Sequence, residues 1–208
     1  MSRRKFLGGP SAGVLVLFGV VLASGACERR AEEQPPAEEA PEAAAPAPAP
    51  APAPTLTDAE IAHVAVTANS IDSAMAELAK TKTQNPEVRS FAETMITDHS
   101  AVNRQATQLA QRLNVTPMDN DVSRQLQQGA DQARRELSAK SGAEFDRAYI
   151  DREVTYHQAV LDALDKTLIP QAQNAELKAL LEQVRPAVAA HLERARQLQS
   201  RLAAPAAT

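Results

Sequence analysis

Tryptophan is absent from this 208-residue chain, and aromatic residues as a whole make up only 3% of it. A chain so poor in aromatics and so rich in alanine favours helix, because Ala and Leu lose little on entering one. No segment alternates apolar and polar residues as a half-buried strand would. There is one cysteine, Cys27, which excludes an internal disulfide, a Cys-based metal site and a Cys–His pair. Positive charge is not in excess either. The formal net charge is -4 and no basic stripe compensates locally, which excludes nucleic acid as a partner. A Gly-rich phosphate loop and a nucleophile motif are both missing, and Ser100 beside His99 reads as solvated rather than activated. With no complete catalytic motif, the reading leans away from an enzyme.

What is present begins with an export signal. MSRRKFLGG is followed by the apolar run SAGVLVLFGVVLASGA, shorter than the ~20 residues that span a bilayer. Residues 1–26 are expected to be a signal peptide. Arg3 and Arg4 give it the look of a twin-arginine signal, with an ordinary export signal as the alternative. Cys27 then resembles the lipidated Cys of a bacterial lipoprotein. Ser24 fills the place where that pattern has an aliphatic residue, so ordinary cleavage leaving a free thiol stays open. The expectation is a lipid anchor at Cys27 that binds the chain to a membrane in the periplasm or cell envelope.

The 14 prolines fall mostly in one block. Residues 27–54, ending PAPAPAPAP, are expected to form a disordered Pro/Ala/Glu-rich tether, since proline on alternate positions favours extended polyproline II. At ~3.1 Å per residue the tether would reach on the order of 80 Å.

Residues 55–203 are expected to form one all-α domain, a four-helix bundle with a short extra helix. Thr57-x-x-Glu60 is a capping-box signal for a helix over 58–83. Asn85-Pro86 opens a second over 86–114. A more polar stretch over 121–140 has a weak apolar face. Ser141-Gly142 interrupts before a third strong helix over 143–168. The last covers 173–203 and contains Pro186, an expected kink.

The apolar stripes of these helices share a peculiarity. In the second, steps of four and three place Val88, Ala92, Met95, His99, Val102 and Ala106 on one face, so His99 points inward and Asp98 lies beside the seam. In the last helix the same spacing runs Leu181, Val184, Val188, His191, Ala195. The third strong helix gives Asp146, Ile150, Glu153, His157, Val160, and the first gives Ala68, Asp72, Met75. Mid-helix positions meet at one level whether neighbours run up or down, which predicts that Asp72, His99, His157 and His191 converge at the waist of the bundle. His63 falls off its stripe and is read as peripheral.

Burying such groups is costly unless they satisfy one another or hold an ion. Two explanations follow. One is a metal site in which His99, His157, His191 and Asp72 are ligands and Asp98 or Glu153 assists, suited to iron, zinc, manganese or copper. The other is a buried hydrogen-bond network without metal, in a non-catalytic envelope module whose outer face binds a partner. The carboxylate-rich Glu-x-x-His pattern of di-iron bundles does not fit. The only such string is Glu60-Ile-Ala-His63, at a helix start, and the positions three before the inward histidines hold Ile96, Val154 and Val188.

The strings LTDAE, NPEVRSFAETMITDHSAVN, SGAEFDRAYIDREVTYHQ and RPAVAAHLERA resemble, in order and spacing, the family called domain of unknown function 4142. Its members are exported bacterial proteins, often labelled outer-membrane proteins or lipoproteins. The resemblance covers about residues 57–200 and implies a ferritin-like four-helix fold. It places recurring polar positions on Asp98, His99, Asp146, Tyr149, His157 and His191. Asp72 stands where Glu is expected, and Arg185-Pro186 where Leu-Pro is common. It implies no activity, since ferritin-like folds host many functions.

Overall fold

The computed structural model describes residues 55–203, and these contain six α-helices and one π-helical segment. The signal-peptide, tether and Cys27 readings fall outside the described residues. Helix α1 covers Asp58–Lys82 and α2 Pro86–Arg112. Helix α3 covers Asp121–Ser138, and α4 covers Gly142–Ala163. A π segment, Leu164–Leu168, continues α4 into the short α5, Ile169–Gln171, and α6 runs Ala175–Ala203. The described residues include no strand.

Local chemistry sets these limits. The Thr57 side chain accepts from Glu60 N, and Glu60 Oε2 accepts from Thr57 N at 2.9 Å, the expected capping box. Glu60 is thereby engaged at the helix end. Asn85 caps α2 by accepting from Glu87 N and Val88 N, with Pro86 at the first turn. Asn114, at φ 52°, closes that helix in the left-handed region that Asn tolerates. Asn174 caps α6, and the Asp58 carboxylate accepts from Gln173 N and Asn174 N. The turn before α6 is thus tied to the start of α1.

Some boundaries differ from expectation. The third strong helix leaves α geometry at Leu164, where five residues adopt the wider π form, a change that no local residue type announces. The last helix starts two residues late, because Asn174 serves as its cap. As expected, Pro186 lies inside that helix, where it removes one backbone donor from the ladder without ending it.

The core falls into two apolar halves. One gathers Met75, Phe91, Met95, Phe145, Tyr149 and Leu198; the other gathers Ile61, Leu109, Leu161, Leu164, Leu181 and Leu192. Helices α1 and α6 run from the second half toward the first, whereas α2 and α4 run the opposite way. Helix α3 is therefore the crossover that returns the chain from the end of α2 to the start of α4, and it lies mainly against α1. One long crossover in a four-helix bundle is the ferritin-like connectivity. Between the two apolar halves lies a polar waist, where Asn69, Asp72, His99, Glu153, His157 and His191 are all buried.

Candidate metal centre

The three inward histidines meet. Their ring centroids stand 5.2 Å (His99–His191), 5.4 Å (His157–His191) and 5.7 Å (His99–His157) apart, a nearly equilateral triangle. One ring nitrogen from each lies within 4.8 Å of the others. Asp72, 1% exposed, brings Oδ2 to 3.1 Å from His99 Nε2 and 3.3 Å from His157 Nε2.

The outward nitrogen of each ring has a fixed partner. His99 Nδ1 lies 2.7 Å from Asn69 Oδ1. Asn69 Nδ2 donates to the Ala65 carbonyl at 2.8 Å, so its Oδ1 must accept and His99 Nδ1 must carry the proton. His157 Nδ1 lies 3.0 Å from the Glu153 carbonyl oxygen, which again can only accept. His191 Nε2 lies 2.9 Å from Asp98 Oδ2. Each neutral ring then carries its lone pair on the other nitrogen: His99 Nε2, His157 Nε2 and His191 Nδ1. Those three atoms, with both Asp72 carboxylate oxygens, are buried and make no hydrogen bond within the protein. Asp72 Oδ2 is thus close to two imidazoles but not aligned with either as a hydrogen-bond acceptor.

Burial pushes the His157 imidazole down to about 4, against the opposing charge of Asp72. His191 is lowered chiefly by burial, opposed by its bond to Asp98. Burial acts to raise the Asp72 carboxyl, but proximity to His99 and then His157 outweighs it and holds the group well below the usual carboxylate range. Glu153 moves the other way. Burial, and then the Asp72 charge, push it well above its ordinary value despite the ion pair to Arg152 Nη1 at 2.7 Å. Burial thus disfavours charge on the His157 and His191 imidazoles and on Glu153, whereas Asp72 is held as the carboxylate.

The remaining expected positions are spread out. Asp98 sits at the rim, its side chain 47% exposed, and reaches the cluster only through His191. Glu153 forms a second group with Asp72 and His157, with one ligand atom from each within 4.8 Å. Asp146 is not brought to the histidines: its Oδ1 accepts from Thr83 Oγ1 at 2.5 Å and thereby ties the α1–α2 loop to α4. Tyr149 belongs to the apolar half, its ring 6.2 Å from both Phe91 and Phe145. Its buried hydroxyl makes no hydrogen bond within the protein. Burial, and then the charges of Glu153 and Asp72, hold that phenol well above its usual value. His63 stays peripheral, 3.9 Å from Asp119.

Sequence reasoning missed Asn69. An Asn inside a helix is disfavoured, and this one lies three residues before Asp72, on the same face. That spacing was the available signal. It also missed Tyr156, whose hydroxyl donates to Ala68 O at 2.9 Å and whose ring lies 4.6 Å from the Arg152 guanidinium.

Fold and site together define an all-α bundle with histidines and carboxylates buried at its waist. The chain belongs to the family described as domain of unknown function DUF4142, whose model matches residues 43–198. Solved structures share the fold. A DUF305 protein from Streptomyces coelicolor, provisionally named as secreted, has a TM-score of 0.61 at 13% identity, covering 73% of this chain and 96% of its own. CopM in its Cu(II)-bound form has a TM-score of 0.55 at 16% identity, covering 71% and 99%. CopM in its Ag-bound form has a TM-score of 0.54 at 19% identity, covering 72% and 99%. No curated protein matches the chain.

Proposed function

We propose that this protein binds one divalent transition-metal ion through His99 Nε2, His157 Nε2, His191 Nδ1 and Asp72. One observation carries the reading. Every imidazole donates its outward N–H to an acceptor and leaves its inward nitrogen bare, the orientation that outer-shell partners impose on metal-binding histidines. Three nitrogens and one anionic oxygen suit zinc, copper(II) or iron(II), and no sulfur stands among the clustered groups. The Cu(II)-bound form of CopM supports copper as the first ion to test. No reaction is assigned to the site.

The proposed place of action is the cell envelope. The reading rests on the signal-like start, the polyproline tether and the lone Cys27 as lipid attachment, and the secreted designation of the DUF305 neighbour supports export. No helix among the described residues is long and apolar enough to cross a membrane.

The test is metal content by inductively coupled plasma mass spectrometry. It compares untagged protein exported by its own signal with the His99→Ala/His191→Ala variant. Near-stoichiometric metal in the first and none in the second is expected. Absence of metal from both, with no thermal stabilisation by added zinc, copper, iron or manganese, would leave the hydrogen-bond network standing.

A further inference from the structure

Helix α3 lies mainly against α1, and between it and α4 runs an open groove of about 330 Å³. Val122, Leu126, Ala130 and Ala133 give the groove an apolar wall. Gly129 stands on the same face, three residues after Leu126 and four before Ala133. Glycine weakens a helix interior, and no close packing calls for it here, since a β-carbon at 129 would meet no neighbouring atom within 4 Å. The α4 side of the groove is formed by Arg152 and Tyr156. The Arg152 side chain is only 14% exposed, and two contacts hold it in place. Its Nη1 donates to Glu153 Oε1 at 2.7 Å, and its guanidinium lies 4.6 Å from the Tyr156 ring, whose hydroxyl is itself held by the Ala68 carbonyl. Glu153 engages only one donor of the guanidinium fork, and the fork makes no other hydrogen bond to the described residues. None of its nitrogens is among the buried atoms left without a partner, so the remaining donors are open to solvent on a residue that lines the groove. No carboxylate lines it.

We propose that this groove binds a small organic carboxylate, its charged head on Arg152 and its apolar body along α3. Anchor and wall select this ligand together. A guanidinium fork matches a carboxylate in both plane and charge, whereas a neutral head gains less from it and a cation is repelled. An inorganic anion meets the same fork but leaves the hydrocarbon wall unused. The space suffices, because benzene is bound in a cavity of about 150 Å³, less than half of this volume. An anchor already held from two sides is oriented before the ligand arrives, which lowers the ordering cost of binding. Arg152 is not one of the four proposed metal ligands, so carboxylate binding here does not depend on an ion.

The experiment follows NMR shifts of the isotope-labelled, metal-free, full-length protein on titration with hexanoate, with 1-hexanol, hexylamine and inorganic phosphate as separate controls. Saturable shifts are expected with hexanoate, centred on residues 122–133 and the Arg152 side-chain N–H, at an affinity at least tenfold above that for each control. Gly129→Leu puts a side chain into the open space and should weaken hexanoate at least tenfold while the rest of the spectrum is kept. Arg152→Gln should abolish the preference for hexanoate over hexanol. Should Arg152→Gln fail to fold, Gly129→Leu and the three controls carry the test. No saturable shift, shifts centred elsewhere, equal affinity for any control, or unchanged affinity in Gly129→Leu would overturn the proposal. Because every titration is done without metal, no result bears on the metal reading.

Discussion

Asn69 fixes the face that His99 turns to the centre of the bundle. Its Nδ2 is spent on the Ala65 carbonyl and its Oδ1 on His99 Nδ1. This arrangement leads to a first prediction. Asn69→Ala keeps all four proposed ligands but frees the ring of His99 to turn or change tautomer. Metal affinity should fall about 10–100-fold, the usual effect of losing such a partner. Competition with a chromophoric chelator measures it, and unchanged affinity would sink the orienting role.

Ion choice follows from the donor set. Zinc or copper(II), at a hundredfold excess over its dissociation constant, should stabilise the fold by about 2.7 kcal/mol. For a chain of this size that raises Tm by roughly 5–10 °C. Silver(I), which prefers sulfur, should raise it far less. Differential scanning calorimetry with each ion decides; equal stabilisation by silver would contradict a nitrogen–oxygen site.

Acid should weaken the metal-free protein through His157. Its folded pKa, about 4, lies below the ordinary value of 6.5. Below 6.5 the unfolded chain then binds the proton that the folded one refuses. Stability is fully present above that pH and falls progressively down to about 4, by on the order of 3 kcal/mol. Urea titrations of metal-free wild type and His157→Gln across this window should show the slope reduced in the variant.

Glu153 has the opposite sign. Its folded pKa is raised, so its contribution is complete below the ordinary value of 4.5 and is lost as pH rises through the folded value. Glu153→Gln keeps a neutral side chain of the same shape. It should flatten the loss of stability as pH rises above 4.5, as read by chemical denaturation. A variant with the wild-type pH profile would mean that Glu153 is ionised when folded.

Asp146→Ala should separate structure from site. It leaves the buried Thr83 hydroxyl without its acceptor, a loss of about 1–3 kcal/mol, with metal affinity unchanged. Parallel denaturation and chelator competition test both halves of that statement.

The waist was legible because helical periodicity alone puts His99, His157, His191 and Asp72 on inward faces, and mid-helix positions meet regardless of direction. The capping residues Thr57 and Asn85 were legible for a similar reason, being local chemistry at fixed spacing. Asp146 also lies on an inward stripe, but its partner Thr83 is 63 residues away, and periodicity does not say which buried polar group meets which. The π segment escaped notice because Leu-Asp-Lys-Thr-Leu suits an α-helix equally well. Asn69 lies one helical turn before Asp72, and an interior amide declares its role only when both of its bonds are seen.

The crossover through α3 has a consequence for assembly. The α1–α2 hairpin carries Asp72 and His99, and the α4–α6 hairpin carries His157 and His191. Each hairpin therefore carries half of the proposed ligand set. An ion bound at the waist as proposed would act as a clasp between the two halves. A chain nicked within α3 would then stay together, or come apart, according to whether the clasp is fastened.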